Sequence, residues 1–231
     1  MDTFRTNKSI SKQDHDEVIC PCLTRHTSNR RIELTMANKS FLIDNLRPTQ
    51  LTLGMVDVNR RAAKMAMLSS GELEELLEKK SIPYVVGPKS EIYIVDHHHL
   101  CRALWMNGKK KIYLGAELAD WSELPQTDFW KKMDKNGYCW AIDSNGNRRP
   151  YSAIPAHIRE LTDNIWRSLA RAVRGRAFTN EDTPFQEFIW GDYFRTFMNQ
   201  RLLEQDFELA KNVATNVAHL KEAEDLPGYK L

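Results

Sequence analysis

At 231 residues the chain can bury one substantial core with a helical layer around it, and one domain is the default for that length. An apolar fraction of 42% with six tryptophans excludes a mainly disordered chain, and a formal net charge of +2 supplies no global field to hold a polyanion. Four scattered cysteines exclude a disulfide framework, and no run of about 18 apolar residues offers a membrane span.

The opening MDTFRTNKSISKQDHDE lacks the basic start and apolar run of a secretory signal, so a soluble cytoplasmic protein without a membrane partner is expected. Residues 1 to 40 are polar and aperiodic and read as a flexible extension. Cys20 and Cys22 lie in it as free thiols, since no second pair at ligand spacing follows to complete a zinc site.

The folded part is expected to begin at SFLIDNLRPTQLTLG, where Phe41, Ile43 and Leu46 precede Pro48 and Gly54 marks a turn. From Met55 to Leu68, Val58, Ala62, Met65 and Ala66 recur at helical spacing, and GELEELLEKK predicts a second helix with Leu73, Leu76 and Leu77 on one face. IPYVV and EIYIV, separated by Gly87-Pro88-Lys89-Ser90, predict paired strands. After Val95 the period changes to helical through His99, Leu100, Ala103 and Leu104, stops at Asn107-Gly108, and gives way to a strand at KIYLGAEL. The remainder predicts helices at TDFWKKMDKNG, NIWRSLARAVRG, TPFQEFIWGDYFRTFMNQ and QDFELAKNVATNVAHLKEA. The expected division is an α/β core over 41–125 and a mainly helical part over 126–231 packed on it.

VDHHHL therefore falls at a strand-to-helix junction. Asp96 is expected to cap the helix, with His97, His98 and His99 in its first turn. A helix start carries unpaired N–H groups and the positive end of the helix dipole, which favours an anion, phosphate being the commonest. Imidazoles there can donate to phosphate oxygens or move a proton, and Asp96 can fix a ring tautomer or take a proton from a substrate hydroxyl. Adjacent helical residues diverge by about 100°, so the three rings do not make a metal cage. The bland reading is that Asp96 merely caps and the rings pack or face water.

The order LRPTQ, helix, IPYVVGP, IVDHHHLCRAL, together with DFWKKM, DNIWRSLARAVR and PFQEFIWGDYFR, resembles the ParB/sulfiredoxin superfamily, and within it the ParB-like nuclease branch, over about residues 41 to 215. The resemblance implies an α/β (α+β) fold with a small mixed sheet, a helical C-terminal part and a phosphate-binding polar turn. It is distantly similar to free serine kinases with a DGHHR motif. Laid on that motif, Asp96, His98 and His99 match, while His97 stands for the Gly and Leu100 for the Arg. Losing that Arg removes a bidentate phosphate contact that Leu cannot make. The base position near LRPTQ holds Gln50, and the sulfiredoxin Cys position holds His98, so serine kinase and sulfinic-acid reductase activities are not expected.

The leading expectation is an enzyme that binds a nucleotide, with Mg, or another phosphorylated small molecule, and transfers or hydrolyses its phosphoryl group. Asp96, as base or metal contact, His98 and His99 are its catalytic candidates. His97, Gln50, Gly54, Arg102, Arg167 and Ser168 are its phosphate-binding candidates. The alternative is a DNA-binding protein or nuclease using the arginine-rich 148 to 176 region, Arg171, Arg174 and Arg176 above all, though such a helix is more often a solvated basic face. No carboxylate cluster for a nuclease metal is visible, Glu187 and Asp192 being poorly placed on their helix. Trp166, Phe185 and Trp190 are expected in the core. A third reading is an interaction scaffold.

Overall fold

A computed structural model of the chain describes residues 40 to 230, which lie in one compact unit running from Met36 to Leu231. The expected flexible extension, with Cys20 and Cys22, lies outside the described residues apart from Ser40. β4 (Ile82–Gly87) and β5 (Glu91–Ile94) form the expected antiparallel pair around Pro88–Ser90, one turn of 3-10 helix with Lys89 and Ser90 at positive φ. Three shorter strands precede them, β1 (Ser40–Leu42), β2 (Leu46–Arg47) and β3 (Thr52–Leu53), and β6 (Lys111–Asp120) follows. Five of these make a mixed sheet in the order β1-β6-β4-β5-β2, with β4–β6 and β5–β2 parallel.

Helices cover that sheet where the apolar spacing put them. α1 (Met55–Ala66) buries Val58, Ala62 and Met65, and α2 (Ser70–Glu78) buries Leu73 and Leu77. Ser69 and Glu72 cap α2 reciprocally, the Ser69 hydroxyl accepting from Glu72 N and the Glu72 carboxylate from Ser69 N. α3 (His98–Met106) packs Leu100, Cys101, Ala103 and Leu104 into the same core as Ile82, Tyr84, Ile94 and Ile112. α4 (Gln126–Lys135) inserts Phe129 and Met133 against Val85 and Tyr93 in a second cluster.

The C-terminal helices are α5 (Ile165–Val173), α6 (Gln186–Phe194), α7 (Gln200–Gln205) and α8 (Phe207–Val217). They share a third cluster in which Trp166 and Trp190 are buried as expected, together with Phe178, which stacks on Trp190 with ring centroids 4.4 Å apart. Gly191 lets α5 and α6 approach closely, since a Cβ there would lie 3.0 Å from the Trp166 carbonyl carbon. The stretch after α8 returns to brace α6. The Pro227 carbonyl accepts from Trp190 Nε1 and Gln186 Nε2, and the Gly228 carbonyl from Thr179 N.

A two-stranded parallel ladder joins the two halves: β3 pairs with β7 (Thr162–Asp163), and Asn164 N donates to Leu53 O at 2.6 Å. β3 leads directly into α1 and β7 directly into α5, so this ladder sets the two helix starts side by side.

Candidate functional site

Three helices begin at one place. Gly54 is the N-cap of α1, Asn164 that of α5 and His97 that of α3, and contacts among their first turns fasten them together. Gly54 N donates to His99 Nε2 at 3.0 Å. Met55 N donates to the Asp163 carboxylate at 2.8 Å. A Cβ on Gly54 would stand 2.8 Å from Ser168 Oγ and 3.0 Å from Arg167 Cδ, so only glycine permits this approach of α5. Aligned peptide dipoles place partial positive charge at each start.

The histidines divide their tasks in a way their adjacency does not disclose. His98 is buried, and its Nε2 faces Thr49 N at 3.1 Å and Thr49 Oγ1 at 3.3 Å, while Thr49 Oγ1 also donates to Ile94 O. A ring nitrogen accepting a backbone N–H carries a lone pair, so His98 and His99 are neutral and their Nε2 atoms are engaged within the protein. Burial accordingly pushes His98 down to about 4 against the opposing charge of Asp96. It pushes His99 well below its ordinary value, with Arg167 and Arg61 adding to the effect. Both rings thus pin the 49–54 segment to α3, and their Nε2 atoms are not open to hold or protonate phosphate.

Asp96 does not cap α3. The helix starts one residue later than the capping reading requires: His97 is the N-cap, in the left-handed conformation (φ 64°), and Asp96 Oδ1 accepts from His97 N at 2.5 Å. The His97 side chain remains 30% exposed, and its Nδ1 lies 3.4 Å from Asp96 Oδ2.

A cleft of about 820 Å³ opens over these starts. Its floor is the Asp96–Leu100 turn with Gln50; Arg167, Arg171 and Arg174 of the α5 stretch line one wall, residues 180 to 188 another, and Arg61 and Lys80 stand at its edge. Arg167 is 11% exposed, and its Nε and Nη1 have no hydrogen-bond partner among the described residues; nor does the buried Ser168 Oγ. Its nearest anion is Glu187, at 3.8 Å from Nη2, and Glu187 leans instead on Arg174 at 2.9 Å. Arg171 makes no hydrogen bond or ion pair with any described residue, and burial followed by the Arg174 charge lowers its pKa. Behind Arg61, Asp57 is buried. Burial would raise its pKa, but hydrogen bonds from Arg60 and Arg61 outweigh that and hold it at about 2.

Several sequence candidates stand elsewhere or are engaged. Arg102 does not line the cleft; its guanidinium lies 4.9 Å from the Trp105 ring centroid, on another side of α3. Gln50 lines the floor, but its Nε2 donates to Thr52 O at 2.7 Å. Arg176 is exposed beyond α5 and outside the cleft, which separates it from Arg171 and Arg174. Phe185, expected in the core, is a half-buried cleft residue in left-handed conformation, 5.2 Å from the Trp140 ring. Thr49, Arg61, Lys80 and Glu187 were not singled out for this site from sequence, because tertiary contact rather than spacing along one element recruits them. Among the described residues no group of three or more His, Cys, Asp or Glu is placed to hold a metal, and no helix is long and apolar enough to cross a membrane.

Comparison with known proteins places the chain beside a protein family and a solved structure. The family model described as "Putative ParB-like nuclease" matches residues 39–196. The crystal structure of protein Atu1540 from Agrobacterium tumefaciens is 33% identical with a TM-score of 0.76, the match covering 83% of this chain and 95% of that one. No curated protein matches.

Proposed function

This chain belongs to the ParB-like nuclease family, and from that footing we propose that its cleft binds a phosphate-bearing small molecule, foremost a nucleotide, and transfers or hydrolyses a phosphoryl group. One observation carries the reading: the nearly buried Arg167 guanidinium lines the cleft with Nε and Nη1 unpartnered. Buried donors are almost always satisfied, and a guanidinium left short of acceptors is a standing demand for an anion. Because no hydrogen bond holds Nε or Nη1, the fork can turn onto a phosphate without breaking one, and its planar geometry matches two phosphate oxygens.

The surroundings support the same ligand. Ser168 Oγ is a further unpartnered polar atom beside Gly54, Arg171 lines the same wall without an ion pair to any described residue, and α3 begins without a side-chain cap. The volume suits a nucleotide, which lies within the usual range for small-molecule sites of roughly 300–1,000 Å³. Magnesium would come with the nucleotide and spread phosphate charge, since the described residues offer no cage for it. Arg167, Arg171 and Ser168 would bind, and His98 and His99 would hold the floor in register.

A nuclease acting on DNA is the second reading. Arg171 and Arg174 favour it by presenting two cations one turn apart along the cleft wall. Calorimetry with inorganic phosphate, ATP and CTP, with and without magnesium, tests the first reading. Binding to the parent, lost in Arg167→Ala and weakened in Arg171→Ala, is expected, and no heat with any of the three would sink it. Binding of single-stranded DNA that weakens steeply with salt, with no nucleotide binding, would favour the second.

A further inference from the structure

We infer that His97, oriented by Asp96, is the group that accepts the proton from the attacking oxygen in this cleft; the inference rests on the phosphate reading above. Three adjacent histidines look interchangeable in sequence, but the hydrogen bonds rank them. His98 and His99 spend Nε2 on the N–H groups of Thr49 and Gly54. His97 makes no such contact and lines the cleft half-buried, its side chain 30% exposed. Its Nδ1 lies 3.4 Å from Asp96 Oδ2, and the charge of the carboxylate favours a proton on that nitrogen, which leaves the Nε2 lone pair free.

The backbone adds an independent observation. His97 is held at φ 64° and ψ 19°, a left-handed conformation in which glycine is the unstrained choice. A bulky side chain kept in such a conformation points to a use for the side chain, because the turn itself would be served better by glycine. Asp96 contributes to the hold by taking the His97 N–H on its other oxygen. The charged groups facing His97 are Asp96, Lys80 and Arg61. Burial first, then Lys80 and Arg61, keep the ring neutral against Asp96, which is the form a base requires.

In the step itself, His97 Nε2 takes the proton of the attacking water as its oxygen bonds to phosphorus. The bond from phosphorus to the leaving oxygen breaks, and the leaving group departs with that electron pair as an oxyanion stabilised by Arg167 and Arg171. The imidazolium then releases its proton to solvent. Asp96 is a positioning residue: it neither meets the nucleophile nor changes protonation.

Phosphate release from ATP, CTP and p-nitrophenyl phosphate, each with magnesium, is measured for the full chain and for His97→Gly, with and without free imidazole. Calorimetry follows ATP binding in parallel. The glycine variant suits the left-handed turn, so it is expected to fold and to bind ATP, yet to turn over roughly 10²–10⁴-fold more slowly. Added imidazole is expected to restore part of the rate, which a structural defect would not allow. Asp96→Asn is expected to lower kcat by a smaller factor with KM unchanged. The inference is overturned by parental turnover in His97→Gly, by a slow variant that ignores imidazole, or by a parent that binds ATP but releases phosphate from none of the three substrates. A parent that does not bind ATP, CTP or phosphate fails the phosphate reading first and takes this inference with it.

Discussion

Replacing Arg167 by Met should make the ligand-free protein more stable while removing its anion binding. The side chain is 11% exposed, and two of its nitrogens lack an acceptor. Each unsatisfied buried donor costs about 1–3 kcal/mol, so relieving both returns about 2–6 kcal/mol. Met keeps much of the hydrocarbon stem packed but forfeits the attraction to the Phe188 ring, 6.0 Å away, at about 0.5–2 kcal/mol. It also forfeits the long 3.8 Å ion pair with Glu187, about 1 kcal/mol for a pair that Arg174 already satisfies at 2.9 Å. Taken at mid-range the balance favours Met by about 2 kcal/mol, as in other buried charges replaced by apolar residues of similar length. For a chain of this size that is a rise in Tm of about 4–8 °C. Differential scanning fluorimetry without ligand, then with saturating phosphate or ATP, reads both halves: the parent should gain from ligand and the variant should not. A ligand-free Tm that falls by several degrees would show that Arg167 is already satisfied in the fold, and the argument for a missing anion would go with it.

Other changes separate the roles at the three helix starts. His98 and His99 fold as neutral rings, His98 dropping from 6.5 to about 4, so below 6.5 the unfolded chain binds more protons than the native one. Stability should therefore be full above pH 6.5 and decline as pH falls toward 4; urea midpoints measured across that range should flatten in His98→Gln, whose amide oxygen can still accept from Thr49 N. Gly54→Ala drives a methyl to 2.8 Å from Ser168 Oγ, which should cost about 1–3 kcal/mol and weaken phosphate binding together, seen by thermal melting and calorimetry. Glu187→Gln removes the carboxylate that competes for Arg174 and Arg167, so phosphate should bind the variant several-fold more tightly while Tm falls; weaker binding would mean that Glu187 itself organises the ligand.

The regular elements were legible because the helices bury one face and the central strands carry continuous apolar runs. Val58, Ala62 and Met65 mark α1, and the β-branched and aromatic runs IPYVV and EIYIV mark β4 and β5, in the sequence as plainly as in the fold. TPFQEFIWGDYFRTFMNQ reads as one helix, but its helical bonding lapses after Phe194 and resumes in α7, where Asn199 caps by accepting from Leu202 N. At the site, Arg167 and Ser168 were visible as candidates, and their closeness to Gly54 was not, since a parallel ladder between residues about 110 apart produces it. The ranking of the three histidines was equally hidden. One-dimensional spacing places rings on a helix, whereas acceptors such as His98 and His99 are defined by which distant N–H reaches them.

The brace that Pro227 and Gly228 supply to Thr179, Gln186 and Trp190 ties the order of synthesis to the order of assembly. The sheet half can pack once β6 and β7 have emerged, because β1 pairs with β6 and β3 with β7. The 180 to 188 wall reaches its resting place only after about forty further residues have been made, so the nascent cleft stays open on that side. A ligand met during translation would find Arg167 and Arg171 on a platform not yet walled in, and capture should await the arrival of Gly228.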